Sequence, residues 1–358
     1  MRRDQTILIT DTTQITGEVP GGPEADVAGL MDLLLGAAKL QVLHAVAALH
    51  VADHLADGAR TAEEVAEREG SQPRATYRLM RTAASLGVLS YAGDRAFGLT
   101  GRGELLRAGA PGSLRELALA FTGSGHWQSW SQFPDAVREG TSQLKRVAGA
   151  DIFGYYARPE NAEEARIFAG SMAEVSALTI QGAMTALDIA GVSTVVDVGG
   201  ADGQFVLELM AANPGLRGQV LDLPHAIDGA RAEAAKRGLS MRFSAVAGDF
   251  FTEVPAADLY LVKTVLHDWD DGQSVTILRN CRSAAPAGGR AVVVEAVVGD
   301  VGTPGDFAAL SDMVMLSVTG GIERDLAEFD ELFTASGWRR GKTYHVGGGY
   351  FAMELDAV

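Results

Sequence analysis

The second half of the chain alternates short apolar runs with helical stretches, and this alternation limits the fold more than any other feature. The apolar runs have the length and β-branched character of buried strands. They span residues 194–198, 219–223, 242–246, 258–263 and 290–297. Strands that alternate with helices form an α/β, mostly parallel, doubly wound sheet. Two last runs, 338–345 and 350–355, are joined through glycines and predict an antiparallel hairpin at the sheet edge.

The first half of the chain carries a different pattern. Apolar residues recur at helical spacing from 27 to 56. Two short helices and a hairpin follow, over residues 61–70, 71–87 and 88–100. The first of these helices opens on a capping-box pattern, Thr61-Ala-Glu-Glu64. Helix, helix and hairpin in this order predict a winged helix-turn-helix.

These patterns divide the chain into an arm, two helical regions and a sheet domain. We place them at residues 1–26 (flexible arm), 27–110 (winged helix), 111–190 (helical linker and pocket region) and 191–358 (sheet domain). The helices of 27–56 carry so much apolar surface that packing against another subunit or domain is expected. Aromatic residues cluster in the helical linker. They suit either a core or the wall of a pocket for a flat ring.

The charge of the chain argues against some partners. The net charge is −16, whereas sequence-independent binding of nucleic acid or of an anionic membrane needs clustered basic residues. Arg74, Arg78 and Arg81 make DNA binding a hypothesis for the winged helix. Residues 1–110, however, hold 11 basic against 14 acidic residues. We therefore expect a packing and dimerisation module, with no nucleic-acid partner.

Cysteine content and hydropathy bear on the compartment. The single cysteine, Cys281, excludes an intrachain disulfide. No apolar run approaches the ~20 residues that a membrane-spanning helix needs, and the N-terminal apolar run is too short for a signal peptide. We expect a cytoplasmic protein with no membrane partner.

Glycines and carboxylates stand at the ends of the first three predicted strands. Gly199 opens the loop after the first strand, Asp222 ends the second, and Asp249-Phe250 follows the third. Ligands of parallel sheets bind beyond these strand ends, where one carboxylate can accept the ribose hydroxyls and another, with the ring, can hold the base. Asp202 in the loop would repel a pyrophosphate. A nucleoside without phosphate, S-adenosylmethionine, therefore fits best.

The run 257–271 places a histidine at the end of the fourth predicted strand. Lys263 ends that strand, and His267-Asp268-Trp269 forms the turn after it. An imidazole at the rim of the sheet is a candidate general base. The alternative is a helix N-terminal residue satisfied by backbone. His267 and Asp268 diverge and no second histidine follows at helical spacing, so we expect no metal at this site.

These motifs are similar to those of the small-molecule O-methyltransferases of plant caffeate type and their bacterial natural-product relatives. The motifs are Val196-Asp-Val-Gly-Gly, Val220-Leu-Asp-Leu-Pro, Gly248-Asp-Phe-Phe, Lys263-Thr-Val-Leu-His-Asp-Trp and Gly320-Gly-Ile-Glu-Arg. The resemblance covers nearly the whole chain beyond the N-terminal arm. It implies a homodimer formed through the winged-helix domain, followed by a Rossmann-like methyltransferase domain.

The resemblance also implies roles for single residues. The residues that would bind S-adenosylmethionine are Gly199, Asp222, Asp249, Phe250 and Lys263. The catalytic residues would be His267 as the base, with Glu295 and Glu323 beside the imidazole. Met315 and Asp312 would line the acceptor pocket.

Two departures from the family pattern stand out. Ala201 replaces the middle glycine of a Gly-x-Gly-x-Gly loop, which puts a methyl group where the backbone approaches the cofactor. This predicts a slightly shifted cofactor pose. Ile322 and Asp325 replace a basic residue and a threonine. The rim of the acceptor pocket is therefore expected to be unusual.

The chemistry of methyl transfer indicates the kind of acceptor. In-line alignment contributes up to roughly 7–11 kcal/mol. Proton transfer from a phenol of pKa ~10 to an imidazole of pKa ~6.5 is uphill by about 5 kcal/mol, and an aliphatic alcohol would be far harder to activate. A carboxylate on the other ring N–H would stabilise the imidazolium. We therefore predict transfer to a phenolic or enolic hydroxyl of a small aromatic secondary metabolite.

Other outcomes stay open on the same fold. N- or C-methylation, hydroxylation and decarboxylation are alternatives, and the presence of His267 with Glu295 and Glu323 disfavours the last two. A winged-helix regulator that senses a ligand is a remote alternative. The acidic module disfavours it.

Overall fold

The computed structural model describes residues 23–224, 227–303 and 305–358. Most of the predicted arm, 1–26, lies outside the described residues. Residues 23–26, which we assigned to that arm, belong instead to the first helix. Proline at the first helical position and the acidic residues Glu24 and Asp26 in the first turn favour this earlier start.

The N-terminal domain is the predicted winged helix preceded by apolar helices. Its helices are α1 (Pro23–Leu34), α2 (Gly36–Ala48), α3 (Val51–His54), α4 (Ala62–Glu69) and α5 (Pro73–Ser85). Its strands are β1 (Arg60–Thr61), β2 (Leu89–Gly93) and β3 (Ala96–Leu99), in the antiparallel order β1-β3-β2. Thr61 and Glu64 form both bonds of the capping box at the start of α4. The sequence therefore predicted this turn down to its hydrogen bonds.

A helical region joins the two domains. Its helices are α6 (Gly101–Glu104), α7 (Arg115–Ala120), α8 (Ser124–Ser129), α9 (Phe133–Glu139), α10 (Leu144–Ala148), α11 (Ile152–Tyr156) and α12 (Ala162–Ala186). Glu174 of α12 accepts hydrogen bonds from the backbone N–H groups of Glu116 (3.1 Å) and Leu117 (2.9 Å) at the start of α7. The long helix α12 thereby ties the helical region to the sheet domain against which its second half packs.

The C-terminal domain is a seven-stranded sheet with helices on both faces. Its strands are β4 (Thr194–Val198), β5 (Arg217–Asp222), β6 (Phe243–Ala247), β7 (Leu259–Lys263), β8 (Arg290–Ala296), β9 (Trp338–Gly347) and β10 (Tyr350–Ala357). Its helices are α13 (Gln204–Ala212), α14 (Ile227–Lys236), α15 (Asp271–Ala284), α16 (Phe307–Val318) and α17 (Leu326–Ala335). The predicted strands all form, with ends shifted by one or two residues.

The strand order is β6-β5-β4-β7-β8-β10-β9. Strands β4 to β8 pair in parallel, and β10 pairs antiparallel with both β8 and β9. The hairpin therefore closes one side of the sheet, as the sequence predicts. Successive strands are added on one side of β4 up to β6 and on its other side from β7 onward. The crevice for a ligand therefore opens at the carboxyl ends of β4 and β7.

Two apolar cores lie on opposite faces of the sheet. One contains side chains of α12, α13 and α14, and the other contains side chains of α15 and α17. Cys281 is fully buried in the second core, as expected for a small apolar residue. Among the described residues no single helix is long and apolar enough to cross a membrane. Helices α1 and α2, bent by 42°, reach the required length and composition only as a pair.

Candidate active site

The turn after β7 carries His267 in a short 3-10 helix, Leu266–Asp268. The side chain of Glu295, on the neighbouring strand β8, holds this turn in place. Its Oε1 accepts hydrogen bonds from the backbone N–H groups of Val265 (2.9 Å) and Leu266 (2.8 Å). The turn therefore sits rigidly at the crevice between β4 and β7.

Two buried glutamates face one nitrogen of the imidazole. His267 Nδ1 lies 3.2 Å from Glu323 Oε1 and 3.6 Å from Glu295 Oε2. Both glutamate side chains are fully buried, while 13% of the His267 side chain is exposed. Because carboxylates only accept hydrogen bonds, Nδ1 carries the proton. Nε2 lies 4.0 Å from Asp268 Oδ1, so the two side chains do not diverge as expected, but this distance is beyond a hydrogen bond and leaves Nε2 for a ligand. This is the arrangement of a base whose tautomer is fixed by a carboxylate.

The electrostatics of this group depart strongly from those of an isolated histidine. Burial lowers the pKa of His267, but Glu295, Glu323 and Asp268 outweigh that effect and raise it to about 10. Burial raises the pKa of Glu295 to about 7, against the attraction of His267. Glu295 Oε2 and Glu323 Oε2 are buried without a hydrogen-bond partner among the described residues. The group therefore holds its proton on the imidazole tightly.

The same three residues also bear on the expectation that no metal binds here. One ligand atom from each of His267, Glu295 and Glu323 lies within 4.8 Å of the others, a spacing that could hold a metal ion. Glu295 and Glu323 lie far from His267 along the chain, so the spacing of neighbouring residues gives no sign of them. Metal independence stays a prediction.

A loop before α17 clamps the histidine turn from the other side. The backbone N–H of Ile322 donates to the carbonyl oxygen of His267 at 2.7 Å. Arg324, 1% exposed, donates to the carbonyl oxygens of Leu266 (3.1 Å) and Trp269 (2.8 Å). A Cβ atom at Gly321 would lie 2.0 Å from the His267 carbonyl oxygen. Glycine is therefore required here for the close approach of the two backbones.

Helix α16 positions Glu323 and borders the predicted acceptor pocket. Ser311 donates to Glu323 Oε1 (2.8 Å), and Asp312 Oδ1 accepts the backbone N–H of Glu323 (2.9 Å). Asp312, predicted to line the pocket, is thus occupied in holding the glutamate loop. Met315, predicted beside it, is half-buried on the same helix.

The glycine loop after β4 lies directly against the histidine turn. A Cβ at Gly199, which has a φ of +69°, would meet Val265 Cγ2 at 2.9 Å and Phe250 Cε1 at 3.6 Å. Asp222, at the end of β5, accepts the backbone N–H of Ala201 through Oδ2 at 2.8 Å. The two motifs that the sequence identified about seventy residues apart therefore share one crevice.

Ala201 itself adopts a left-handed backbone conformation, with a φ of +48°. A non-glycine residue in this region costs roughly 1–2 kcal/mol. The loop therefore keeps the glycine geometry although its middle residue is alanine.

The residues predicted to hold the base of a nucleoside lie beyond β6. Phe250 packs edge to face against Trp269, with ring centroids 6.1 Å apart. Asp249 is exposed, and its Oδ1 accepts the backbone N–H of Phe251 at 2.9 Å. Ring and carboxylate thus stand side by side near the glycine loop.

Lys263 has a partner that the sequence did not reveal. Its Nζ donates to Ser176 Oγ of α12 at 2.7 Å and to Thr264 Oγ1 at 3.1 Å. Burial lowers the pKa of Lys263, and the charges of Asp197 and Glu295 oppose that effect. Burial raises the pKa of Asp197 to about 7. A buried ammonium beside a hydroxyl can hold the carboxylate of S-adenosylmethionine, and the surrounding acids suit its cationic sulfonium.

The aromatic residues of the helical linker are divided between core and surface. His126 is buried and lies 3.3 Å from the Tyr156 hydroxyl, measured from Nδ1. Burial lowers the pKa of His126 to about 4, so the ring is neutral. Tyr156 stacks on Phe168 of α12 at 4.9 Å. Trp127, by contrast, is 41% exposed.

Three residues of the site were missed by the sequence reasoning. They are Ser176, Ser311 and Arg324. Ser176 and Ser311 donate hydrogen bonds to the predicted site residues Lys263 and Glu323, and Arg324 donates to the backbone on either side of His267. Only Arg324 gave a signal, as the last residue of the Gly-Gly-Ile-Glu-Arg motif.

A doubly wound sheet with this glycine loop and strand-end carboxylates defines a Rossmann-like methyltransferase. Comparison with known proteins identifies the family. The model of the O-methyltransferase domain matches residues 130–339, and that of the O-methyltransferase dimerisation domain matches residues 31–109. The chain belongs to the O-methyltransferase family, and its cofactor is S-adenosylmethionine.

Individual relatives match over nearly their whole length. The phenazine O-methyltransferase PhzM of Lysobacter antibioticus is 34% identical over 92% of this chain and 96% of its own. An 8-amino-8-demethylriboflavin N,N-dimethyltransferase of Streptomyces davaonensis is 31% identical over 83% of this chain and 86% of its own. The SAH-bound structure of CalO1, a methyltransferase in calicheamicin biosynthesis, superposes with a TM-score of 0.85. It is 32% identical and covers 94% of this chain and 100% of its own.

Proposed function

We propose that His267 is the general base of this O-methyltransferase and acts on a phenolic or enolic hydroxyl of an aromatic secondary metabolite. The observation that carries the proposal is the pair of buried glutamates on Nδ1, which leaves Nε2, once it has lost its own proton, to receive the proton of the acceptor. S-adenosylmethionine supplies a methyl group activated by the sulfonium. The chain's own residues align the acceptor oxygen and take its proton.

The raised pKa of His267 suits a phenol. With an imidazole pKa of about 10, proton transfer from a phenol of similar pKa is nearly level, in place of the 5 kcal/mol uphill step expected for an ordinary histidine. The consequence is that Nε2 carries a proton in the free enzyme at neutral pH. Either His267 loses this proton before a neutral phenol binds, or protonated His267 binds a phenolate. The two complexes contain the same number of protons and differ only in whether the shared proton lies on the phenol oxygen or on Nε2.

We propose that the cofactor is held along the ends of β4 to β7. Gly199 would let the backbone approach it, Asp222 would accept the ribose hydroxyls, and Asp249 with Phe250 would hold the adenine. Lys263, with Ser176, would bind the carboxylate of the methionine part.

The acceptor would enter beside α16, along Met315 and the aromatic residues of the helical linker. A neutral His126 paired with Tyr156, and the stacked rings of Tyr156 and Phe168, form an apolar wall with few charges. Similarity to an enzyme named for the O-methylation of phenazine supports a planar aromatic acceptor.

The chain would act as a homodimer through its N-terminal domain, in the cytoplasm. Helix α1 has no buried residue, and it exposes Leu30, Leu33 and Leu34 by 59%, 77% and 67%. Such a continuous apolar face is typical of a subunit interface.

The direct test uses S-adenosylmethionine with an isotopically labelled methyl group. The enzyme is incubated with a metabolite extract, and mass spectrometry identifies the product that gains the label. We expect a labelled methyl ether on an aromatic ring. The second candidate function is N-methylation, which is supported by the similarity to the N,N-dimethyltransferase. Label on nitrogen would favour this candidate. Label on carbon would contradict both.

A further inference from the structure

The winged-helix domain contains a basic cleft that the methyl-transfer reaction does not use. Its volume is about 720 Å³, and it opens on the exposed side of α5. The residues that line it are Glu63, Gln72, Pro73, Arg74, Tyr77, Arg78, Arg81 and Arg95. Four of these are arginines and one is acidic. The cleft is therefore positive on a chain whose net charge is −16.

Three of the arginines have no partner of opposite charge. Arg74, Arg78 and Arg81 are exposed, and none forms an ion pair or a side-chain hydrogen bond with any residue that the structure describes. Their spacing of four and three residues places them along one face of α5. Like charges at this spacing repel one another, so an anion that bridges them would relieve the repulsion.

The other wall of the cleft is formed by residues that contact one another. Arg95, from the hairpin, lies 3.9 Å from the centroid of the Tyr77 ring. Its guanidinium also pairs with Glu63, with Nη2 at 2.6 Å and Nε at 2.8 Å from Oε1. Tyr77 packs edge to face against the buried Phe97 at 5.9 Å. The charge of Arg95 is thus already balanced by Glu63. Arg95 forms one wall of the cleft, and Arg74, Arg78 and Arg81 line the other.

The length of the basic row indicates the kind of ligand. Arg74 and Arg81 are seven residues apart on a continuous helix, which corresponds to about 10 Å along the axis. Three guanidinium groups along this row carry three positive charges, more than the roughly two negative charges of a single phosphate. Linked phosphates supply the further negative charge, and guanidinium groups bind phosphate oxygens through paired hydrogen bonds.

We propose that Arg74, Arg78 and Arg81 form a binding site for a small ligand that carries two or more linked phosphate groups. Duplex DNA fits the row less well. It would have to lie against a domain, residues 23–110, in which 11 acidic residues outnumber 9 basic ones.

The test is calorimetric titration of the full-length protein with sodium pyrophosphate at constant ionic strength. We expect saturable binding that Arg78→Ser weakens roughly tenfold. Arg68→Ser is the matched control, because Arg68 is exposed on α4 of the same domain and does not line the cleft. It should change the affinity by less than about twofold. Pyrophosphate should also raise the melting temperature of the wild type more than that of Arg78→Ser.

Four results would overturn the site. They are no binding of pyrophosphate, an equal loss of affinity in Arg68→Ser, a change of oligomeric state in Arg78→Ser by sedimentation, and tighter binding of duplex DNA than of pyrophosphate through the same arginines. The third would assign the cleft to a subunit interface. The fourth would make its ligand a nucleic acid.

Discussion

His267 is buried with two carboxylates on one nitrogen, and this explains how an imidazole can match the acidity of a phenol. In the mechanism that we propose, the glutamates would stabilise the imidazolium that forms when His267 takes the proton of the acceptor. Removal of either glutamate would leave the imidazolium with one carboxylate in place of two. These three side chains therefore account for most of the proton chemistry that we propose for the chain.

The pH dependence of the reaction should follow the protonation of His267. Because its pKa is raised to about 10, kcat/KM should rise with pH across the neutral range as Nε2 loses its proton. Glu323→Gln removes one of the charges that raise this pKa, so the rising limb should move to lower pH by about one unit. Initial rates measured from neutral to alkaline pH would check both. A flat profile would contradict the assignment of the base.

Ala201 offers a test of strain in the cofactor loop. Ala201→Gly relieves the left-handed conformation of an alanine, while the added freedom of glycine in the unfolded chain offsets part of the gain. We expect the free energy of unfolding to rise by about 0.5–1 kcal/mol, with unchanged or tighter cofactor binding. Gly203→Ala at the neighbouring φ of +75° is the reverse control and should destabilise. Thermal unfolding of the wild type and both variants, with and without cofactor, measures these changes, and a lower melting temperature for Ala201→Gly would contradict the prediction.

At the scale of elements, the histidine turn is held between two segments distant in sequence. Strand β8 contributes Glu295, and the loop before α17 contributes Gly321, Ile322 and Arg324. The catalytic geometry therefore depends on the packing of these segments as much as on the turn itself.

Gly321→Ala should push the histidine turn and the loop before α17 apart. Its Cβ would lie 2.0 Å from the His267 carbonyl oxygen, so one backbone must move. A displacement of about 1 Å at a catalytic group costs roughly 10²-fold in rate, and we expect a loss of kcat of this order. Cofactor affinity should remain, because Asp222 and Phe250, which we propose to hold the cofactor, lie on other segments, at the end of β5 and after β6. Gly229→Ala, where a Cβ meets nothing within 4 Å, is the control. Equal kcat values in the two variants would contradict the clamp.

The sequence was informative where structure is local and silent where it depends on packing. Strand runs, the capping box at Thr61 and the glycine loop follow from periodicity and backbone preference, so they could be predicted. Glu323 could be assigned only through the family resemblance, because 56 residues separate it from His267. Ser176 meets Lys263 across 87 residues, and no spacing rule links such a pair.

Composition was a poor guide to local charge. Counting charges up to residue 110 gave a mildly acidic module, yet the folded α5 gathers Arg74, Arg78 and Arg81 on one face. A net count averages over a surface, whereas a ligand meets only one part of it.

At the scale of the whole molecule, the N-terminal domain supplies an apolar helix and the C-terminal domain supplies the chemistry. The dimerisation-domain match begins at residue 31, so it includes the last turn of α1 and all of α2, which supports assembly through this end of the chain.

Two charges on α1 should disrupt that assembly. Leu30→Glu combined with Leu34→Glu places carboxylates one turn apart on the exposed apolar face, and we expect a monomer by analytical ultracentrifugation. Met241→Glu, at a residue that is 89% exposed on the catalytic domain, should leave the oligomeric state unchanged. A dimer that survives the double substitution would place the interface elsewhere.

The central claim is that His267 takes the acceptor's proton during methyl transfer. The decisive measurement compares wild type and His267→Ala in a single turnover with saturating labelled cofactor and the acceptor found by labelling. Cofactor affinity is determined separately by calorimetry. We predict that cofactor affinity is retained and the transfer rate falls by roughly 10²–10⁴-fold. A transfer rate that stays near the wild-type value, with the cofactor still bound, would contradict the account.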